Sequence, residues 1–474
     1  MAFNSFEYVL LLAITGLLFF RLGYRGRLVL LIASSLVFYG AFSVPLLGLI
    51  VLSALIDFTC GAAIGRAEAP ARRRLWLGLS VAVNLGLLGY FKYANFFLDN
   101  LAQLGVGDLA AHHVEVLLPP GISFYTFQTM SYTIDVYRRR IRPTTSFLRF
   151  FLYVSFFPQL IAGPIERAGH LLVQFDHAAT RRFHVANLVA GLQMIAWGMF
   201  KKVVLADHCG AIADRVYADP GSFDGWSALV ATYAFTLQIY CDFSAYSEIA
   251  RGSARIFGVD LMQNFDQPYL VTDISAFWRR WHVSLSEWFR DYVYIPLGGN
   301  RGSAARTVAN LTITMFLSGL WHGAAWTFVL WGLFHGLLLL AHTLARPLTR
   351  RAFALPGLDR VGGALGWFVT LQMVVVGWVL FRAPSVGDAG AILGSILGAI
   401  AALGRGGAAP GPAQLAFFGL FAGFLALSAI DRRFGLRARI DGDPGLCAAF
   451  YAVVVALTLL LGEGEGAAFI YFQF

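Results

Sequence analysis

Long apolar stretches dominate the sequence and limit what the chain can fold into. A helix rises ~1.5 Å per residue, so about 20 apolar residues are needed to cross a hydrocarbon core of ~30 Å. Several of the stretches are too short for this, and we expect those at 119–134, 146–163 and 389–404 to be re-entrant or interfacial. The sequence predicts an all-α polytopic membrane protein with about eleven transmembrane helices. The fourteen stretches lie at 6–20, 28–42, 46–64, 76–98, 119–134, 146–163, 187–205, 226–249, 307–320, 324–342, 361–381, 389–404, 414–430 and 446–461.

The charged residues are few and are grouped between the apolar stretches. They make up 13% of the chain, against about 25% in soluble proteins, which excludes a soluble multidomain enzyme, a disordered protein and a coiled coil. The net charge of +9 comes from short basic runs that are typical of cytoplasmic loops, so nucleic-acid binding is not expected. No linker separates a soluble part. We predict a single membrane-embedded domain over 1–474, with its motif core at about 120–345.

The first apolar stretch is predicted to be a transmembrane helix. No basic residue precedes it and Arg21 follows it, the opposite of a secretory signal. With the basic loops in the cytoplasm, both termini lie outside. Lys201 and Lys202 then fall close to the outer end of their helix. The loops assigned to the cytoplasm are 21–27, 66–74, 138–149, 166–182, 346–351 and 432–439.

The polar residues are densest in the segment 273–302. At helical spacing its aromatic side chains form one stripe, and His282 joins the arginines on a neighbouring polar stripe. One interpretation is an amphipathic helix at the membrane surface. The other is a cavity wall that binds an anionic ligand. The aromatic stripe contains Trp278, Trp281, Leu285, Trp288 and Tyr292, and the polar stripe contains Arg279, His282, Ser286 and Arg290.

His322 is the second candidate, near the middle of an apolar hairpin rich in small residues. Small residues allow close helix approach or leave room for a ligand. A neutral imidazole in a dry pocket accepts a hydroxyl proton, so the predicted role is general base. His335 and His342 share one face of the following helix. A functional role and hydrogen bonding between helices are equally good interpretations for them. Asp242 and Glu248 do not share a helix face, so packing or cavity lining is predicted for them rather than a carboxylate pair.

Four strings resemble the membrane-bound O-acyltransferase family, in particular its bacterial branch that contains the alginate O-acetylation membrane subunit. They are FFPQLIAGPIER, WRRWHVSLSEWFRDYVYIPLGGNR, LSGLWHGAAWTFVLWGLFHG and the terminal FIYFQF. The resemblance implies a ring of tilted helices around a central tunnel, in the inner membrane of a bacterium. It also implies transfer of an acyl group from a thioester to a hydroxyl group.

The resemblance implies roles for individual residues. His322 matches the family's catalytic histidine, and His282 matches the second motif position, where it steadies the oxyanion or orients the thioester. The implied donor is cytoplasmic acetyl-CoA, a co-substrate, and neither a bound cofactor nor a metal is expected. Its phosphates are predicted to bind at one tunnel mouth. The residues predicted for donor binding are Trp278, Arg279, Arg280, Arg290 and Arg301.

The resemblance also implies partners. The acetyl group ends on an exopolysaccharide such as alginate, through a periplasmic partner of the SGNH-hydrolase type, and the chain contacts membrane lipids. The terminal hexapeptide has two interpretations: hydrophobic anchoring or partner docking, and transient acetylation of Tyr471, which relays the group outward.

Two other functions are compatible with the pattern. A polytopic exporter of polysaccharide or lipid-linked sugar explains a polar pathway, but not a histidine alone in an apolar hairpin. A b-type haem protein would use two of His322, His335 and His342 as axial ligands.

Overall fold

The computed structural model describes residues 1–105, 112–115, 117–176, 181–352, 358–462 and 469–470. Within these ranges the regular structure is helical and contains no strand. The twenty α-helices of these ranges are α1 (Phe6–Phe19), α2 (Tyr24–Gly40), α3 (Val44–Arg66), α4 (Pro70–Leu88), α5 (Ala94–Gln103), α6 (Ile122–Tyr137), α7 (Phe147–Ser155), α8 (Ala168–Asp176), α9 (Val185–Phe200), α10 (Asp207–Ala218), α11 (Gly225–Ile256), α12 (Ile274–Trp278), α13 (Val283–Phe289), α14 (Ala304–His322), α15 (Trp326–Ala352), α16 (Leu358–Arg382), α17 (Val386–Leu403), α18 (Pro412–Phe434), α19 (Leu436–Gly442) and α20 (Pro444–Leu461).

Eight helical spans in the described ranges are long and apolar enough to cross a membrane, and the protein is a multi-pass membrane protein. This is fewer than the eleven crossings predicted. The helices α11 and α14 are long but carry many polar side chains, and α1 has only 14 residues. The eight spans are Val44–Arg66, Pro70–Gln103, Val185–Ala218, Trp326–Thr349, Arg360–Arg382, Val386–Leu403, Pro412–Phe434 and Pro444–Leu461.

The three stretches expected to be re-entrant or interfacial have different outcomes. The prediction for 389–404 is wrong, because α17 has 18 residues with a mean hydropathy of 1.8 and is therefore long enough to span. The stretch 119–134 forms α6, with 16 residues, and 146–163 forms the nine-residue α7 followed by irregular backbone. This irregular backbone, 156–166, is buried throughout.

The chain folds into two compact units. Of the described residues, one unit contains Met1–Gly198 and Tyr246–Gln263, and the other contains Met199–Ala245 and Asn264–Ile470. The single domain predicted for 1–474 and the central tunnel both stay predictions, as does the assignment of loops to the cytoplasm.

The first unit has a buried polar network at its centre. The Asp57 carboxylate on α3 accepts hydrogen bonds from Ser80 Oγ at 2.5 Å and from Asn84 Nδ2 at 2.8 Å, both on α4. Thr133 on α6 lies 2.9 Å from the same Ser80 hydroxyl. Buried polar groups cost free energy unless they are hydrogen-bonded, and here three helices satisfy one another. The network therefore fixes how α3, α4 and α6 pack.

The second unit is built around the α14–α15 hairpin. A connection of three residues joins these two helices, so they lie side by side and antiparallel. Both α12 and α16 pack against α15. The hairpin therefore places residues from four helices around the end of α14, where the candidate site lies.

Candidate active site

Close packing of α14 on α15 sets the position of His322. A Cβ atom added at Gly319 would lie 2.3 Å from the backbone oxygen of Phe328 and 3.0 Å from the Cα of Gly332, so only glycine fits. His322 is the last residue of α14, and the chain continues through the extended Gly323. The side chain is 4% exposed. The predicted placement of His322 in a hairpin of small residues is therefore confirmed.

Aromatic rings surround His322. Its ring centroid lies 4.9 Å from Trp321, 5.0 Å from Trp331 and 5.2 Å from Phe381, and all three pairs meet edge to face. These rings come from α14, α15 and α16. Aromatic rings from three helices therefore enclose the imidazole and shield it from water.

The segment 273–302 is not one helix, so the prediction of two stripes along it is wrong. The helix α12 ends at Trp278 and α13 begins at Val283. Between them His282 has φ +41° and ψ 56°, the left-handed region that non-glycine residues rarely adopt. The backbone therefore turns at His282, and the helical spacing does not continue across it. A π-helical turn at Arg290–Tyr294 follows α13.

Hydrogen bonds from Asn264 hold the turn at His282. The backbone oxygen of Asn264 accepts from the N–H of Val283 at 3.0 Å. Its side-chain oxygen accepts from the Ser284 hydroxyl at 2.7 Å and from the Ser284 N–H at 3.3 Å. A strained conformation persists where its surroundings determine it. The orientation of His282 is therefore imposed by its neighbours.

His282 and His322 contact the same indole. The ring of His282 lies 5.9 Å from Trp321, which itself lies 4.9 Å from His322. The ring of His282 also lies 4.7 Å from Phe243. Burial lowers the pKa of His282 to about 3, so its ring is neutral at physiological pH. The two predicted catalytic histidines are therefore brought together around Trp321.

The other two histidines of the predicted face on α15 lie in different environments. His335 is fully buried, and its ring lies 4.9 Å from Trp331 and 5.1 Å from Trp278. Neither of its ring nitrogens has a hydrogen-bond partner among the described residues. His342 is partly exposed, with Nε2 3.7 Å from the Asp273 carboxylate. Trp278, predicted to bind the donor, is thus part of the aromatic cluster around His335.

The four arginines predicted to bind the donor are distributed over the surface of this region. Arg279 donates to Ser275 Oγ at 2.7 Å, and Arg280 lies 3.6 Å from the Asp266 carboxylate. The exposed Arg290 pairs with the Asp291 carboxylate at 2.8 Å and the Glu287 carboxylate at 3.6 Å. Arg301 is exposed in the turn that precedes α14. Their role toward a donor stays a prediction.

The sequence did not identify a buried charge cluster in the same unit. Lys202 Nζ lies 2.7 Å from both the Asp207 and the Asp242 carboxylates, and all three side chains are buried. Asp242 also accepts a hydrogen bond from the backbone N–H of Ile470 at 2.8 Å. The Phe469 ring centroid lies 4.7 Å from Lys202 Nζ. Two adjacent lysines in an apolar stretch were the available signal.

This cluster shows the surroundings of the two lysines and locates part of the terminal hexapeptide. Lys201 and Lys202 are 6% and 1% exposed, so both side chains are buried, and their position at the outer end of a membrane helix stays a prediction. They form the start of a π-helical turn, Lys201–Ala206, which turns their side chains inward. Lys201 Nζ donates to Ser244 Oγ at 2.7 Å. Tyr471, the predicted acyl relay, lies outside the described residues.

Comparison with known proteins places the chain among acyltransferases. The model of a family described as MBOAT, membrane-bound O-acyltransferase family, matches residues 82–381, a range that includes both catalytic candidates. The chain is 42% identical over 390 residues to a probable alginate O-acetylase of Pseudomonas aeruginosa, covering 81% of this chain and 72% of that protein. Identity to the probable alginate O-acetylase of Pseudomonas putida is 36% over 499 residues, 99% of each. A peptidoglycan O-acetyltransferase of Helicobacter pylori is 35% identical over 393 residues, 78% of this chain and 73% of that protein.

Proposed function

The chain belongs to the membrane-bound O-acyltransferase family, and we propose that it takes an acetyl group from cytoplasmic acetyl-CoA and passes it across the bacterial inner membrane for O-acetylation of an exopolysaccharide such as alginate. That it is an O-acyltransferase follows from the family and from its O-acetylase relatives. The family also decides against the exporter and the haem protein. The observation that supports the mechanism best is the contact of two buried histidines with one indole.

His322 acts as the general base. It accepts the proton of the acceptor hydroxyl group as that oxygen attacks the carbonyl carbon of the thioester. A C–O ester bond forms, the C–S bond breaks, and the proton passes from His322 to the departing thiolate of CoA. A positioned base contributes about 10² to 10⁴ in rate. The aromatic rings around His322 support this role because they keep water away from the reacting groups.

His282 stabilises the charge that develops on the carbonyl oxygen. A neutral imidazole carries one N–H and can donate it to an oxyanion, and the low pKa of His282 keeps its ring neutral. The imposed left-handed backbone supports this role, since an oxyanion donor is effective when its position is fixed before the reaction. Trp321, which contacts both rings, then sets the spacing between the general base His322 and the hydrogen-bond donor His282.

Arginines at the surface bind the phosphates of the donor. Arg301, which is exposed, and Arg279, Arg280 and Arg290 are near enough in sequence to act on one ligand. Three of them already contact hydroxyl or carboxylate groups, so donor binding would exchange those contacts for phosphate contacts. Guanidinium groups bind phosphate oxygens in a bidentate manner. Trp278, which precedes Arg279, is assigned to the same acetyl-CoA site.

The acceptor side involves a partner. The relatives' names mention alginate and peptidoglycan, both polymers outside the cytoplasm, and we assign the final transfer to a periplasmic acetyltransferase of the SGNH-hydrolase type. Tyr471 is the candidate relay to this partner. Its neighbour Ile470 is buried and bound to Asp242, which supports a fixed starting point for the terminal residues. Full polysaccharide acetylation by Tyr471→Phe would eliminate the relay.

Transfer of labelled acetyl from acetyl-CoA by purified protein tests the mechanism. We expect His322→Ala to lower the rate by at least about a hundredfold, while His342→Ala, a matched change at a partly exposed histidine, leaves it near wild type. Thermal unfolding and gel filtration of both variants establish that they are folded. A folded His322→Ala protein with wild-type transfer would refute the assignment. Polysaccharide export that continues without acetylation would separate this function from an exporter.

A further inference from the structure

A large apolar cavity lies in the second unit, away from the histidines. Its volume is about 990 Å³, and it is formed by α11, α16 and α18, at the upper end of the range for small-molecule sites. The contact of Phe421 with Tyr233, 4.8 Å between ring centroids, lies toward one end of the cavity. The residues that line it include Tyr233, Trp367, Gln372, Ala426, Arg432 and Arg433.

The cavity follows α18 for most of its length. It runs from Phe418 to Arg433, which is about 22 Å along a helix axis at ~1.5 Å per residue. One leaflet of a bilayer has about 15 Å of hydrocarbon, half of a ~30 Å core. The cavity therefore matches one leaflet together with its headgroup region. Both α16 and α18 are spans of a multi-pass protein, and apolar side chains that line the cavity, such as Phe368, are exposed.

One end of the cavity carries positive charge. Arg432 and Arg433 form the last turn of α18 and are exposed. Arg432 is held in place because it donates to the backbone oxygen of Leu270 at 3.1 Å. Arg433 has no hydrogen bond or ion pair with any residue that the structure describes. The carboxylate of the adjacent Asp431 accepts hydrogen bonds from the Gln267 side-chain amide and from the backbone N–H of Arg437. It therefore does not pair with the guanidinium groups of Arg432 and Arg433.

The opposite end is polar but uncharged. There the Tyr233 hydroxyl donates to the Gln372 side-chain oxygen at 2.7 Å. Between the two ends the cavity wall on α18 consists of Ala422, Ala426 and Ala429, which leave room for a chain. A ligand with an anionic head and a long apolar tail is complementary to this arrangement. A free phosphate would leave the apolar part without a partner.

We propose that this cavity binds one anionic phospholipid, with its phosphate at Arg432 and Arg433 and an acyl chain along α18 toward Tyr233. Basic residues at the cytoplasmic end of a groove between membrane helices recognise such headgroups. The site has a physical connection to the candidate active site, because α16 lines the cavity and also carries Phe381, which contacts His322. The bound lipid supports α16 from its outer side.

The test uses full-length protein in lipid nanodiscs of phosphatidylcholine with or without phosphatidylglycerol, and native mass spectrometry to count the lipids retained. We expect one phosphatidylglycerol retained in preference to phosphatidylcholine. Arg432→Gln combined with Arg433→Gln weakens retention by about tenfold or more. Arg439→Gln, at an exposed arginine that does not line the cavity, leaves it unchanged. Added inorganic phosphate does not displace the lipid.

Filling the cavity provides a second test. Ala426→Phe places a ring where the acyl chain lies and abolishes retention, whereas Ala416→Phe, on the same helix but outside the cavity, does not. In wild-type protein, phosphatidylglycerol with brominated acyl chains quenches Trp367 fluorescence. The part of the quenching that comes from Trp367 is absent in the Trp367→Phe variant. Equal retention of the two lipids, or unchanged retention by Ala426→Phe, would overturn the proposal.

Discussion

The Asp242 carboxylate accepts a hydrogen bond from the backbone N–H of Ile470, which is 228 residues further along the chain. The same carboxylate pairs with Lys202, whose ammonium group lies against the Phe469 ring. A buried ion cluster thus holds the C-terminal segment 469–470. It does so on α11, next to Phe243, which packs against His282.

Removing the charge of Asp242 should release this segment. Breaking a buried ion pair by changing one partner costs about 3–5 kcal/mol, and Asp242→Asn leaves Lys202 with Asp207 alone. We expect a lower Tm and weaker acetyl transfer than in Asp219→Asn, a control at an exposed residue. The measurements are thermal unfolding and transfer of labelled acetyl.

A truncation distinguishes positioning of the segment from general stability. If Asp242 affects transfer through Ile470, then Asp242→Asn has no further effect on transfer in a protein that ends at residue 468. Its effect on Tm, which includes the lost pairing with Lys202, persists in that background. Additive losses of transfer in the double variant would show that Asp242 affects transfer independently of Ile470.

His282 should tolerate asparagine better than alanine. Asparagine adopts the left-handed conformation more readily than most residues and keeps a donor, so His282→Asn preserves the turn and part of the oxyanion contact. We expect His282→Ala to lower kcat by about a hundredfold or more, and His282→Asn by less. Because the pKa of His282 is about 3, the pH profile of kcat/KM should have the same shape in wild type and His282→Asn. If kcat/KM of the wild type changes with pH between pH 5 and 8 and this change disappears in His282→Asn, then His282 does not act as a neutral hydrogen-bond donor.

Gly319 should not accept a side chain. Its added Cβ would meet the Phe328 backbone oxygen at 2.3 Å, so α14 and α15 must separate in Gly319→Ala at a cost of about 1–3 kcal/mol. The matched change Gly363→Ala, on α16, meets nothing within 4 Å and should be stabilising by up to about 1 kcal/mol. Comparing Tm and acetyl transfer checks both. Equal Tm values for the two variants would argue against close packing of the hairpin.

Stability should fall as pH rises through the titration of His170. The Glu166 carboxylate is buried and lies 2.7 Å from His170 Nδ1. The hydrogen bond to Glu166 raises the pKa of His170 above 6.5, and burial raises the pKa of Glu166 above 4.5. Both groups bind protons more tightly in the folded state, so their stabilisation is complete below the unfolded pKa and is lost as pH rises. We expect Tm to decrease as the pH rises above about 6.5, the ordinary pKa of histidine.

A substitution separates His170 from the other histidines in this measurement. His170→Gln removes the titrating partner of Glu166 and should flatten the dependence of Tm on pH. His184→Gln, at an exposed histidine, should leave the slope as in wild type. A slope that His170→Gln does not change would assign the dependence to another group.

The sequence by itself determined the membrane class, the helical architecture and the position of His322. These depend on runs of apolar residues and on small residues around one histidine, and both act locally along a helix. It also brought out His282, but placed it on a continuous helix. The turn there is imposed by Asn264. Because Asn264 lies outside 273–302, the spacing of residues within that segment cannot predict the turn.

Only the tertiary structure decided which residues meet. Lys202 and Asp242 were visible as polar residues in apolar stretches, yet their link to Ile470 closes a loop of 228 residues, and nothing in the local pattern selects that partner. The same holds for His335 and His342, seven residues apart on one helix, of which one is enclosed by rings and the other lies near Asp273. The pattern of apolar residues determines which face of a helix is buried. The tertiary structure determines which residues of the neighbouring elements that face contacts.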